Sequence, residues 1–251
     1  MDQQNVFVTG ASRGIGKALA LEFARAGYGV AFSYVSSQAQ ADETLRELEA
    51  IGAETKRPMK AYRLDVRDSA QVEEVCEGII DEFETVSAVI NNAGINKNNA
   101  AAWMSDEEWF DVLNTNLSGA FFVVRHFLPH FLSNKFGRFL HLSSLASDGT
   151  SGQINYAASK AGLLGLSRTI AKEYGRKGIT SNVIIPGVFL TDMVKDSLSK
   201  SLEEFWLQFC PAARMGEMDE LTKMAVFLAS SHASFVNGEA IRITGGLTYA
   251  P

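Results

Sequence analysis

Seven short apolar runs recur along the chain: NVFVTG (5–10), YGVAFSY (28–34), KAYRLDV (60–66), SAVINNAG (87–94), RFLHLSS (138–144), ITSNVIIPG (179–187) and EAIRITGG (239–246). Their hydrophobicity is continuous rather than alternating, as expected of parallel strands buried on both faces. Helical stretches separate them, over 15–26, 38–51, 69–83, 105–133, 156–176 and 218–230. A chain that alternates in this way predicts an α/β fold, a Rossmann-like, doubly wound parallel sheet of about seven strands with helices on both faces. No linker, low-complexity tract or repeat breaks the pattern, so residues 1–251 read as one domain, a size that α/β folds reach undivided. The irregular stretch is 188–214, an amphipathic insert at the carboxyl end of the sixth strand. It carries Phe189, Met193, Phe205, Trp206 and Phe209 and reads either as a substrate lid or as a helical hairpin packed on the body.

Composition narrows the function classes. A net charge of −6 with both signs dispersed offers no basic stripe for nucleic acid. No run is long and apolar enough for a membrane span and the amino terminus shows no signal-peptide pattern, so a soluble, cytoplasmic protein is expected. Cys76 and Cys210 are far apart, without zinc-ligand spacing, and read as reduced thiols. His126 and His130 share a helical face but lack an acidic partner, and with His141 and His232 they read as core or interface residues; no metal is expected.

The first apolar run is followed by TGASRGIG. A strand turning into a helix presents free N–H groups and the positive end of the helix dipole, a site for a pyrophosphate if the backbone allows close approach. Gly10, Gly14 and Gly16 allow it, with Ser12, Arg13 and Ile15 around them. The spacing is G-x-x-x-G-x-G rather than the widespread G-x-G-x-x-G, and a glycine-rich structural turn is the alternative. At the end of the second strand, where an NAD site places a carboxylate on the ribose 2′-hydroxyl, stand Ser33, Tyr34, Val35, Ser36 and Ser37. With Arg13 available to pair with a 2′-phosphate, the combination favours NADP(H) over NAD(H).

Farther along, Tyr156 and Lys160 stand four apart in a helical stretch, hence on one face with Cβ atoms about 5–6 Å apart. A free phenol has a pKa of about 10, and a neighbouring ammonium is expected to lower it toward a useful range. Such a pair also arises by chance on exposed helices.

Taken in order, TGASRGIG, NNAG (91–94), Asn116 in NTNLSGAFF, the serines of HLSS, YAASK and PGVFLTDM resemble the short-chain dehydrogenase/reductase family from Val6 to about Gly246. The resemblance implies that Tyr156 is the acid/base and that Lys160 tunes it and holds the nicotinamide ribose. It also implies that a serine polarises the substrate carbonyl and that Asn116 carries a relay water. Counting back from the tyrosine gives Ser143; matching the strand ending gives Ser144, the residue favoured here because register fixes which face a side chain takes. The same resemblance puts Asp65 and Val66 beside the adenine, Asn91, Asn92 and Gly94 along the ribose, and Pro186, Gly187 and Thr191 on the carboxamide. Asn91 and Asn92 could instead tie the sheet together, and Asp65 could cap a turn.

Within the family the chain is most similar to bacterial 3-oxoacyl-acyl-carrier-protein reductases, in GQINYAASKAGLLGLSRTIAKEYGRKGIT and VFLASSHASFVNGEAIRITGG. The implied reaction is NADPH-dependent reduction of a 3-oxoacyl thioester on acyl carrier protein. Docking of that acidic partner near the pocket mouth would fall to Lys135, Arg176 and Lys177. A dehydrogenase of a small alcohol, sugar or steroid and a non-catalytic cofactor-binding paralogue are the alternatives. The resemblance and the apolar run AFFVVRHFLPHFL also imply a homotetramer.

Overall fold

The structure, a computed structural model, describes residues 4–189 and 206–248. Seven parallel strands form a single sheet in the order β3-β2-β1-β4-β5-β6-β7. They are β1 (Asn5–Val8), β2 (Gly29–Tyr34), β3 (Met59–Arg63), β4 (Val86–Asn91), β5 (Gly137–Leu142), β6 (Ile179–Pro186) and β7 (Ala240–Ile243). The strand order reverses direction between β1 and β4, and a crevice opens there beyond the carboxyl ends.

Side chains alternate between two cores, as strand geometry demands. Val6, Val8, Val30 and Phe32 face helices α1 (Gly14–Arg25), α2 (Gln38–Thr55) and α7 (Met218–Ala229), packing on Leu19, Phe23, Leu48 and Leu228. Phe7, Val89 and Phe139 face α3 (Ser69–Phe83), α5 (Gly119–Asn134) and α6 (Ile154–Tyr174), against Ile79, Phe127, Phe131 and Ile170. Continuous apolar strands are thus consumed on both sides, and the predicted doubly wound fold is observed.

The helix expected over 105–133 is divided. Helix α4 (Asp106–Leu113), opened by a capping box between Ser105 and Glu108, passes through one π-helical turn at Asn114–Ser118 before α5 begins. The extra residue of a π-turn rotates the following side chains relative to a regular helix. Here the turn carries the buried Asn116, and Gly119 lies so close to the β3–α3 connection that a Cβ would come within 2.7 Å of Val66. Among the described residues no helix is long and apolar enough to cross a membrane.

Candidate active site

A cleft of about 1120 Å³ lies along the carboxyl ends of β1, β2, β3 and β4. Its wall includes Gly10, Ser12, Arg13, Gly14, Ile15 and Gly16 from the first connection, Tyr34 to Ser37 from the second, and Asp65 and Val66 from the third. Asn92 and Gly94 follow β4, and Tyr156 closes the far end.

The glycine loop has the form a dinucleotide phosphate requires. Gly10 and Gly14 have φ of +65° and +59°, the left-handed region that side chains avoid. A Cβ on Gly10 would stand 2.9 Å from Ala93 Cα, and one on Gly16 would stand 2.5 Å from the Gly10 carbonyl oxygen. A Cβ on Gly14 would meet nothing, because that residue borders open space. Helix α1 begins there with no side-chain cap and no acidic residue in its first turn, so its amide donors and positive dipole end are free for an anion. Donor set and cradle therefore fit a dinucleotide pyrophosphate.

At the other end of the cleft, β5 ends at Leu142 and delivers two serines into different surroundings. Ser143 is buried and its hydroxyl donates to the Lys160 carbonyl at 2.9 Å, while its amide donates to Ile184 O at 2.8 Å. Ser144 opens a short 3-10 turn, accepting from the Ala146 amide at 3.2 Å, and its hydroxyl stands near enough to the Tyr156 phenol to lower that phenol's pKa. Ser144 is thus the serine beside Tyr156, while Ser143 ties the sheet to α6.

Lys160 is buried to 4% exposure; its ammonium donates to Leu142 O at 2.6 Å and lies 5.5 Å from the centroid of the Tyr156 ring. Burial pulls its pKa from 10.5 down to about 8. The phenol moves opposite to the direction expected from the sequence. Burial pushes Tyr156 up, the Ser144 hydroxyl pulls it down, and the net shift is upward. The reason is geometric: the ammonium sits over the ring and is spent on a main-chain carbonyl, so desolvation outweighs it.

Asn116 uses its carboxamide on the main chain of the loop after β4, accepting from Ile95 N at 2.8 Å and donating to Ile95 O at 3.0 Å. It also donates to Ser159 Oγ at 3.0 Å, whose hydroxyl donates to Tyr156 O at 2.8 Å. Gly94 is close by, since a Cβ there would be 3.4 Å from Lys160 Nζ.

Other expected residues take parts that the sequence left open. Asn92 lines the cleft and donates from its side chain to Thr9 O and Gly10 O, both at 2.9 Å, lacing the glycine loop to β4. Asn91 points into the sheet, where its side-chain amide meets His141 Nδ1 at 3.2 Å, and it does not line the cleft. Asp65 lines the cleft with both carboxylate oxygens held by Arg67, at 3.0 and 2.7 Å, which keeps its pKa below the usual range. Arg67 reaches on to Asp111, which pairs with Lys97 at 2.6 Å. Arg67, Lys97, Asp111 and Thr115 all line the cleft, although the sequence had not singled them out. Only the position of Arg67, two residues past Asp65, hinted at this.

Pro186 ends β6, and Gly187 donates to Ile243 O at 2.8 Å in a place where a Cβ would stand 2.8 Å from Thr244 Cα. Thr191, Met193 and Phe205 lie outside the described residues. From the insert, Phe189 is buried against Gly216, and Trp206 joins it around a small cavity beyond β6 and β7.

The three expected docking cations correct a geometric assumption. Lys135 follows α5, and Arg176 and Lys177 precede β6; a Cβ on Gly178 would stand 2.3 Å from Lys135 O, so the group is clustered. It lies at the amino ends of β5 and β6, the pole opposite the cleft. The run from Gly137 to Ser144 alone spans about 23 Å at a strand rise of 3.3 Å per residue.

A family profile described as Enoyl-(Acyl carrier protein) reductase matches residues 10–248. The chain is 37% identical over 245 residues to a 3-oxoacyl-acyl-carrier-protein reductase of Staphylococcus epidermidis, covering 97% of this chain and 98% of that protein. It is 39% identical over 244 residues to the Escherichia coli K12 reductase of the same name, covering 96% and 95%. A candidate short-chain alcohol dehydrogenase from Sinorhizobium meliloti 1021 superposes with a TM-score of 0.91 at 31% identity, over 98% of this chain and 96% of that one. A candidate gluconate dehydrogenase from Agrobacterium tumefaciens gives 0.92 at 28% identity, over 99% and 97%. The site geometry and these relationships together place the chain in the short-chain dehydrogenase/reductase family, as an NAD(P)-dependent oxidoreductase.

Proposed function

We propose that the protein uses NADPH to reduce the keto group of a 3-oxoacyl thioester carried on acyl carrier protein, giving the 3-hydroxyacyl form in the cytoplasm. The observation that carries this reading is the convergence of the Ser144 and Tyr156 hydroxyls at the end of the cleft. Two hydroxyls meeting at one place suit a carbonyl oxygen, which has two lone pairs to fill.

A nicotinamide coenzyme held in the cleft would supply the hydride that the carbonyl carbon accepts. Tyr156, held protonated at neutral pH by its raised pKa, gives its proton to the carbonyl oxygen while Ser144 donates a second hydrogen bond. Lys160 orients the nicotinamide ribose, and Asn116 holds the relay water that returns a proton toward Tyr156. Gly10, Ser12, Gly14, Ile15 and Gly16 hold the pyrophosphate. Val66, Gly94, Asn92, Pro186, Gly187 and Thr191 position the rest of the dinucleotide, with Asp65 acting through its Arg67 partner.

NADP(H) is favoured because Arg13 and Ser36 line the cleft where the 2′-phosphate would rest. The acidic groups among the lining residues, Asp65 and Asp111, are each engaged by cations. The relatives' names favour the acyl-carrier substrate. With Lys135, Arg176 and Lys177 at the far pole, a carrier docked there serves the cleft of another copy within a homotetramer. The names of the structural neighbours favour a second reading, oxidation of a small alcohol or sugar acid.

Loss of NADPH absorbance with acetoacetyl and crotonyl thioesters, free and on acyl carrier protein, and its gain from NADP+ with a panel of alcohols, separate these readings and the enoyl reduction in the profile's description. The keto thioester should be consumed and Tyr156→Phe should abolish turnover. Arg13→Ala should weaken NADPH binding about tenfold and leave NADH unaffected. Equal rates in Tyr156→Phe would overturn the proposal.

A further inference from the structure

Asn155, the residue before the reactive tyrosine, has no assigned part in the chemistry, yet it is fully buried and almost fully hydrogen-bonded. It occupies the second position of α6, whose preceding residue Gln153 supplies no side-chain cap. The first-turn amides of such a helix need partners from elsewhere. Asn155 Oδ1 accepts from the amide of Tyr156 at 2.7 Å. Its Nδ2 donates to Lys97 O at 3.1 Å and to Glu108 O at 3.0 Å. One carboxamide therefore joins the catalytic helix to the loop after β4 and to α4, using three of its four hydrogen-bonding positions.

The carbonyl side of the same residue is held in a matching way. The Tyr156 carbonyl accepts from Ser159, which is bonded by Asn116, and Asn116 in turn grips Ile95. Between these two asparagines, Asn99 N donates to Gly152 O at 2.9 Å. The segment 95–99 is thus tied to the start of α6 directly at Lys97, to Gly152 just before the helix at Asn99, and to Ser159 through Asn116 at Ile95; the main chain of Tyr156 is clamped on its N–H side by Asn155 and on its C=O side through Ser159 and Asn116.

We propose that Asn155 is a positioning residue that fixes the main chain of Tyr156 so that its phenol meets Ser144 at the end of the cleft. It touches neither coenzyme nor substrate, and this role rests on the keto-reduction reading above. A displacement of a reacting group by about 1 Å can cost on the order of a hundredfold in rate. A loss of this kind falls chiefly on kcat, because the phosphate-binding loop belongs to α1 and α6 reaches the coenzyme only through its nicotinamide ribose.

The test compares Asn155→Ala with Asn155→Ser, which keeps an acceptor for the Tyr156 amide but loses both donations. Ser167→Ala is the control; it removes a buried hydrogen bond, 2.9 Å to Ser181, two turns along the same helix. Expected are a fall in kcat of at least about tenfold in both Asn155 variants, NADPH affinity by fluorescence within about threefold, and near-normal kcat in Ser167→Ala. Ionisation of Tyr156, followed by ultraviolet difference absorption against Tyr156→Phe, should move to lower pH in the Asn155 variants as water reaches the phenol. If Asn155→Ala does not fold, Asn155→Ser alone decides. Wild-type kcat with unmoved tyrosine ionisation, or an equal loss in Ser167→Ala, would overturn the proposal. The optical titration needs no turnover, so it reads the clamp even if no ketone is reduced.

Discussion

Replacing Lys160 with methionine should remove a specific alkaline gain in stability from the coenzyme-free protein. The buried ammonium has its pKa lowered from 10.5 to about 8, so the folded state holds that proton less tightly than the unfolded state does. The sign follows directly: at pH 7 both states are protonated and the full desolvation cost is present. As pH rises through 8 toward 10.5, the folded state sheds the proton first and stability increases. From the two values the cost is about 3 kcal/mol at pH 7 and about 1 kcal/mol at pH 10, a gain of roughly 2 kcal/mol. Methionine leaves Leu142 O without its donor, but that loss is independent of pH and cancels between the two conditions. Urea unfolding of wild type and Lys160→Met at pH 7 and pH 10 isolates the term, since other titrating groups are shared. A wild-type excess below about 1 kcal/mol, or one of opposite sign, would show that the ammonium is not held desolvated as argued.

Ser144→Ala should lower kcat about a hundredfold. Ser143→Ala should cost about 1 kcal/mol in urea unfolding with kcat little changed, because only the bond to Lys160 O is lost; the reverse ranking in kcat would transfer the role to Ser143. His141 is buried neutral between Asn91 and Ser181, with desolvation and then Lys160 driving its pKa down to about 3. Its unfolded state therefore binds the extra proton, and stability falls as pH drops below about 6.5. His141→Gln should abolish roughly 2 kcal/mol of the loss between pH 6.5 and 5, measured by urea midpoints.

Most of the fold was legible because burial of strands on both faces leaves a local trace. Val6, Phe7 and Val8 are all apolar precisely where a one-sided strand would alternate, and the structure puts them in two different cores. The interruption at 114–118 had no such trace. Asn116 and Gly119 are compatible with a regular helix, and the π-turn answers to contacts with Ile95, Ser159 and Val66 that are remote in sequence. The place of Lys135, Arg176 and Lys177 was in principle readable: Lys135 precedes the fifth strand, and ligands in such sheets bind beyond the strands' carboxyl ends.

The candidate site was legible as a set of residues but not as a set of charges. A spacing of four correctly places Tyr156 and Lys160 on one face, yet it says nothing of where the ammonium points or how much water the phenol keeps. Those are set by Leu142 O at the end of β5 and by Ser144 just beyond it. The consequence bears on direction. A phenol whose pKa is raised stays protonated at neutral pH, the form from which reduction starts, but it is also the weaker acid, so burial in the coenzyme-free protein favours the starting state of reduction without easing the proton's departure. Alcohol oxidation needs the phenolate, and forming it in this site requires a further positive charge or more water beside Tyr156 than the described residues provide.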